Sequence, residues 1–132
     1  MKFDEFKKRY IQAKTRRKPR HIEEDIQTAC VSWFRVMYPR YLCFAAPNGG
    51  SRNVVEAANM KAAGVLAGVS DLIIVGDRSV LFVEMKTKTG RQSEKQKDFQ
   101  RSVERLGFEY KVCRSLADFQ QVVTRWINDR FA

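Results

Sequence analysis

Residues 70–86, SDLIIVGDRSVLFVEMK, constrain the fold more than any other part of the chain. Two apolar runs, Leu72–Val75 and Val80–Val83, flank a short polar break, the pattern of two strands joined by a turn. With the turn at Asp77-Arg78, Gly76 faces Ser79, and widening the loop to four residues keeps the same register. Asp71 then stands directly opposite Glu84, with Cβ atoms roughly 5 Å apart. Lys86 shares the strand face of Glu84, two residues further on. A single assumption about the turn therefore gathers two acids and a lysine at one end of a hairpin.

The flanking segments supply the partners such a hairpin needs. Ile22, Ile26, Ala29, Cys30, Trp33 and Met37 recur at helical spacing, which predicts a helix over 22–37 that ends before Pro39. YLCFAA (41–46) reads as a short strand and PNGGS (47–51) as a turn. Residues 53–63 read as a helix with Gly64 just past its end. TGRQ (89–92) is a loop, and Phe99, Val103 and Leu106 mark a helix over 93–106 that Gly107 stops. FEYKVC (108–113) alternates as a strand does, and a last helix over 115–129 turns Leu116, Phe119, Val123 and Trp126 inward. The order α–β–α–β–β–α–β–α predicts an α/β fold, a central mixed sheet flanked by helices.

The chain has 132 residues, enough for one domain with one core. No apolar run approaches the ~18 residues of a membrane helix, and Met1–Tyr10 alternates charge with aromatics, so neither a membrane span nor a secretory signal is expected. Cys30, Cys43 and Cys113 lack CxxC spacing and read as small buried hydrophobes in a reducing compartment. The expectation is a cytoplasmic protein, in a bacterial cell if the chain is phage or bacterial. Net charge is +10, and a polyanion is the natural partner of such a surface, nucleic acid being the commonest. KKRYIQAKTRRKPR (7–20) holds eight Lys/Arg and no acid, and reads either as a basic arm for that partner or as a solvated tail. Residues 1–21 are accordingly expected to be an N-terminal arm and 22–132 the domain.

Like charges directly opposite on two strands are destabilising. Asp71 and Glu84 need a cation between them or a raised pKa. Mg²⁺ suits the pair, since it takes oxygen ligands and usually one or two carboxylates. Lys86 beside it could stabilise a charged oxygen, and the set suits metal-assisted phosphodiester hydrolysis. Glu-x-Lys alone is usually a salt bridge at a strand end, so the weight lies on the three residues together.

Beyond these residues, PNGGSR (47–52), KAAGVLAGVSDLIIV (61–75), LFVEMK (81–86), SEKQ (93–96) and VCRS (112–115) follow one another in an order that resembles the VRR-NUC branch of the PD-(D/E)XK nuclease superfamily. The resemblance spans roughly residues 22–120. It implies a restriction-endonuclease-like core and DNA cleavage dependent on Mg²⁺ or Mn²⁺. It places Asp71 and Glu84 as metal ligands with the carbonyl of Met85, and Lys86 as the catalytic lysine. The family also carries an acid four residues before a glutamine on its first helix, here Glu23 before Gln27. Glu24 and Asp25 are rivals, and all three acids suit a helix's first turn electrostatically. Ser70 stands where the family often has proline.

Gln96 matches a further family position, as support for water or phosphate near the metal; Ser93-x-x-Gln96 is equally a helix capping box. Asn48, Gly49 and Gly50 could present backbone amides to phosphate, or form a plain turn. Arg52, Lys61, Lys88 and Arg91 are candidate phosphate contacts. His21 is the lone histidine, so a histidine general base is poorly supported. Tyr10, Trp33, Tyr38 and Phe44 read as packing residues. The resemblance points to a stand-alone, phage-type structure-specific endonuclease, a homodimer resolving four-way (Holliday) junctions. The alternatives are a flap, fork or nicking nuclease, a non-catalytic DNA-binding module that keeps the fold, and a protein-recruiting module that would leave the charge unexplained.

Overall fold

The computed structural model describes residues 2–8, 22–46 and 53–131. Residues 3–8 lie in a helix, α1. The chain continues as α2 (Ile22–Met37), β1 (Leu42–Ala45), α3 (Val54–Ala62), β2 (Leu72–Gly76), β3 (Ser79–Met85), α4 (Glu94–Arg105), β4 (Glu109–Cys113) and α5 (Leu116–Phe131). The four strands form one sheet in the order β1-β2-β3-β4. β1–β2 and β2–β3 are antiparallel, and β3–β4 is parallel across the α4 crossover. The class is the expected one, a mixed sheet flanked by helices.

The hairpin has the expected register: Gly76 pairs with Ser79 and Leu72 with Val83. Its turn places Arg78 at φ 57°, a left-handed conformation that non-glycine residues seldom take. Tyr41 steadies it, its hydroxyl donating to Asp77 Oδ2 at 3.0 Å. Strand alternation then separates the two faces of the sheet. Leu72, Ile74, Leu81, Val83 and Met85 are fully buried in one cluster with Cys30, Phe34, Phe119, Val123 and Trp126, the inward residues of α2 and α5. Burial of each large side chain here contributes roughly 1.5–3 kcal/mol. On the other face Phe82 meets Phe99 of α4 edge-on, ring centroids 5.4 Å apart, and Phe99 meets Tyr110 at 6.2 Å. Glu84 belongs by alternation to this second face, as do its neighbours Phe82 and Tyr110.

Several details depart from the sequence reading. Phe34, not Met37, fills the core beneath α2: Phe34 is fully buried and Met37 half exposed. Leu106 lies exposed past the end of α4, and Phe44 is largely exposed on β1. Phe3 of α1 packs edge-on against Trp33 with centroids 6.5 Å apart. Residues 9–21, with most of the basic run and His21, lie outside the described residues, as do 47–52. All three cysteines are buried and free, and burial pushes the Cys43 and Cys113 thiols up to about 12. No helix among the described residues is long and apolar enough to cross a membrane. α3 carries no buried residue, and Val54 and Val55 stand open on its first turn.

Candidate active site

Asp71 precedes β2 by one residue, and Glu84 is the next-to-last residue of β3. The 72–83 pair is the outermost of the hairpin ladder, so the register carries Asp71 opposite Glu84. Two local bonds fix this end. Asp71's carbonyl accepts from the N–H of Ala46, and its carboxylate Oδ2 accepts from the N–H of Met85 at 2.7 Å. Ser70 is fully buried and donates to the carbonyl of Leu72 at 3.1 Å, so a hydroxyl bond anchors this corner where a proline would stiffen it by ring closure.

Glu84 is wholly inaccessible to solvent. Its Oε2 accepts from the Tyr110 hydroxyl at 3.2 Å, while Oε1 has no hydrogen-bond donor. Burial raises its pKa well above the carboxylate range, and the adjoining Asp71 carboxylate raises it further. Lys86 and the Tyr110 hydroxyl oppose that rise. A buried carboxylate oxygen without a donor, on an acid beside another acid, is the chemical condition a cation relieves. The donor set, hard carboxylate oxygens, fits Mg²⁺ or Mn²⁺.

Glu23 approaches from the first turn of α2. It is half-buried, and the backbone of Thr87, just past β3, favours its charged form. Burial raises its pKa and Asp71 raises it further, while Lys86 lowers it. Glu23 is thus in electrostatic contact with both Asp71 and Lys86. Glu24 is exposed at the rim of the same cleft, and Asp25 is buried. The cleft, of ≈ 440 Å³, is lined by Glu23, Glu24, Gln27, Thr28, Ala46 and Asp71. Among the described residues no three His, Cys, Asp or Glu side chains form a ready metal cluster. The acids form a close pair, Asp71 and Glu84, with Glu23 alongside it.

The other candidates sit further out. Gln96 is engaged locally: its Oε1 accepts from Ser93 N–H at 2.9 Å, and its own N–H donates to Ser93 Oγ at 3.2 Å, completing the capping box of α4. It lines a groove beneath α3 with Ala57, Met60, Leu66 and Gly68, not the acid cleft. Gly68 is required there: its φ is +84°, and a Cβ would collide with the backbone of Lys95 and Gln96. Lys61 on α3 and Lys88 and Arg91 after β3 are exposed, as phosphate contacts must be. Asn48, Gly49, Gly50 and Arg52 lie outside the described residues.

Four residues around the site are not among the site candidates named from the sequence. Tyr110 meets Glu84, Gln92 meets Tyr110, and Gln100 meets Gln92. Arg114 reaches back across the parallel pair to the loop after β3, donating to the carbonyls of Thr87 at 2.8 Å and Gly90 at 2.7 Å. The alternation of 108–113 signals that Tyr110 sits on a strand. Nothing local signals what it or Arg114 touches, since those contacts exist only once β4 lies parallel to β3.

A mixed sheet with helices on both faces, an acid at the start of one strand and acid-x-Lys at the end of the next define a nuclease of the PD-(D/E)XK fold. The VRR-NUC domain model matches residues 11–117, and the chain belongs to that family. A solved structure, a VRR_NUC domain protein, superposes with TM-score 0.65 at 24% identity, over 80% of this chain and 88% of that one, and at that identity the likeness is one of fold. No protein of curated function matches the chain. Domains of this family are nuclease domains, which implies DNA as substrate, and PD-(D/E)XK nucleases generally use divalent metals.

Proposed function

We propose that this chain is a divalent-metal-dependent endodeoxyribonuclease of the stand-alone, phage type, which cuts branched DNA as a homodimer. The observation that carries the reading is the buried pair Asp71–Glu84, with a carboxylate oxygen that has no donor, two residues from Lys86. Asp71, Glu84, the carbonyl of Met85 and Glu23 would hold the cation. When bound, Mg²⁺ or Mn²⁺ supplies Lewis-acid stabilisation of phosphate charge and makes water a stronger acid.

The chain's own residues do the rest. The N–H of Met85 keeps Asp71 in place. Lys86 brings a compact, mobile positive charge to the reacting phosphate, orienting the attacking water or stabilising the pentacoordinate phosphorus. Arg114 holds the loop that begins at Lys86. Exposed Lys61, Lys88 and Arg91 would contact flanking phosphates, which position DNA without reading its sequence. Selection of a four-way junction would then come from shape, since two sites related by a two-fold axis can address two strands.

The test is cleavage of labelled four-way junction, flap, fork, linear duplex and single strand, with Mg²⁺, Mn²⁺ or EDTA. Paired symmetric cuts in the junction, lost in EDTA, support the whole reading. Cuts confined to flaps or forks keep the nuclease and discard junction resolution. Tight binding with no cleavage of any substrate contradicts the enzyme.

A further inference from the structure

Tyr110 stands on β4, 4% exposed, with its hydroxyl 3.2 Å from Glu84 Oε2. Gln92, in the loop after β3, donates through Nε2 to that hydroxyl oxygen at 3.2 Å and to Gln100 Oε1 on α4 at 2.9 Å. The direction of the chain follows from its donors. The amide of Gln92 supplies both bonds it makes, so the oxygen of Tyr110 accepts there. Its single proton remains for Glu84. Packing does not call for that hydroxyl, because the ring contact with Phe99 would be met equally by phenylalanine.

The consequence falls on Glu84. One of its oxygens is fixed by Tyr110, and the other, Oε1, has no hydrogen-bond partner, while the Asp71 carboxylate adjoins the group. The carboxylate is thus held in one rotation, with one oxygen anchored in protein and one reserved. Outer groups that orient a ligating carboxylate in this way contribute to metal affinity.

We propose that Tyr110, steered by Gln92 and Gln100, is a positioning residue that orients the Glu84 carboxylate for the divalent cation. This rests on the metal-site reading above. The chain also ties that orientation to the loop after β3 and to α4, so a shift of either element reaches the carboxylate through Gln92 or Gln100.

The experiment measures Mn²⁺ binding by equilibrium dialysis or electron paramagnetic resonance, for full-length wild type, Tyr110→Phe, Gln92→Leu and Glu84→Gln, each checked by circular dichroism. Tyr110→Phe should weaken Mn²⁺ binding on the order of 10- to 100-fold. Gln92→Leu should weaken it less, and should add nothing in the Tyr110→Phe background. Cleavage by Tyr110→Phe should recover at high Mn²⁺, with the half-saturating metal concentration raised and the maximal rate largely kept. Wild-type affinity in folded Tyr110→Phe, with Glu84→Gln impaired, overturns the positioning role and leaves the metal site standing. No Mn²⁺ binding by folded wild type overturns the metal site and the proposal together. If Tyr110→Phe does not fold, unchanged affinity in Gln92→Leu overturns the proposal and reduced affinity supports it.

Discussion

Oδ2 of Asp71 accepts the backbone N–H of Met85 at 2.7 Å, so the first acid of the site is bonded to the strand that carries the second. That bond closes the open end of the hairpin and holds two carboxylates together that repel when both are charged. The end of the hairpin is accordingly built against its own stability, as sites for charged ligands commonly are.

Replacing Asp71 by Asn should therefore separate folding from catalysis. The amide oxygen still accepts from Met85 N–H, and the amide nitrogen becomes a donor beside Glu84. In EDTA, Asp71→Asn should be more stable than wild type by about 1 kcal/mol in urea denaturation. DNA cleavage should fall by ~100-fold or more. A clear loss of stability would instead make Asp71 a purely structural residue.

Glu84 and Glu23 both have pKa values raised in the folded protein above the ordinary 4.5, burial being the largest cause for each. The folded state therefore binds their protons more tightly than the unfolded chain. Their stabilising contribution is complete below about pH 4.5 and is lost as pH rises through the folded values. In EDTA, the stability difference between wild type and Glu84→Gln should move against wild type as pH increases from about 4.5. Urea melts at successive pH values read this directly, and a difference independent of pH would contradict it. Mn²⁺ should restore wild type most at the upper end of the range, where the carboxylates are free to bind it.

Gln96 can be tested for its two roles at once. A capping box accepts Glu in place of Gln, so Gln96→Glu should leave stability within about 0.5 kcal/mol of wild type. Gln96→Ala should lose about 1 kcal/mol with the cap. Should Gln96 also support water or phosphate, Gln96→Glu will cut poorly despite normal stability. Normal cleavage by Gln96→Glu confines the residue to the cap.

Arg114→Ala removes two short bonds to the carbonyls of Thr87 and Gly90 while leaving the core untouched. The expected outcome is faster hydrogen exchange across 87–91 and cleavage reduced by about tenfold, roughly 1.4 kcal/mol of transition-state stabilisation. Global stability should change little, because the side chain is exposed. Unchanged exchange in that loop would show that Arg114 does not hold it.

The hairpin and the acid pair were legible in the sequence because strand register has period two. Once the break between the apolar runs is taken as the turn, the opposition of residues 71 and 84 follows. Helix ends were legible for equally local reasons: Gly64 and Gly107 take the left-handed φ of 106° and 92° that end α3 and α4, and Ser93 caps the start of α4. What the sequence withheld depends on the crossover. Tyr110, Gln92 and Gln100 meet only when α4 returns the chain alongside β3. Phe34 is fully buried where Met37 is half exposed, which a helical spacing alone does not report. Glu23 stands among three adjacent acids, and its electrostatic contact with Asp71 and Lys86 arises only from the packing of α2 against the sheet.

The central claim is that Asp71, Glu84 and Lys86 cleave DNA and do not merely bind it. The most direct measurement is single-turnover cleavage of a labelled four-way junction by wild type, Glu84→Gln and Lys86→Ala in Mn²⁺, with junction affinity measured in parallel in Ca²⁺. The account predicts that wild type cuts, that both variants lose cleavage by at least ~100-fold, and that all three bind the junction alike. Cleavage by Lys86→Ala at the wild-type rate, or no cutting by a folded wild type that binds tightly, would contradict it.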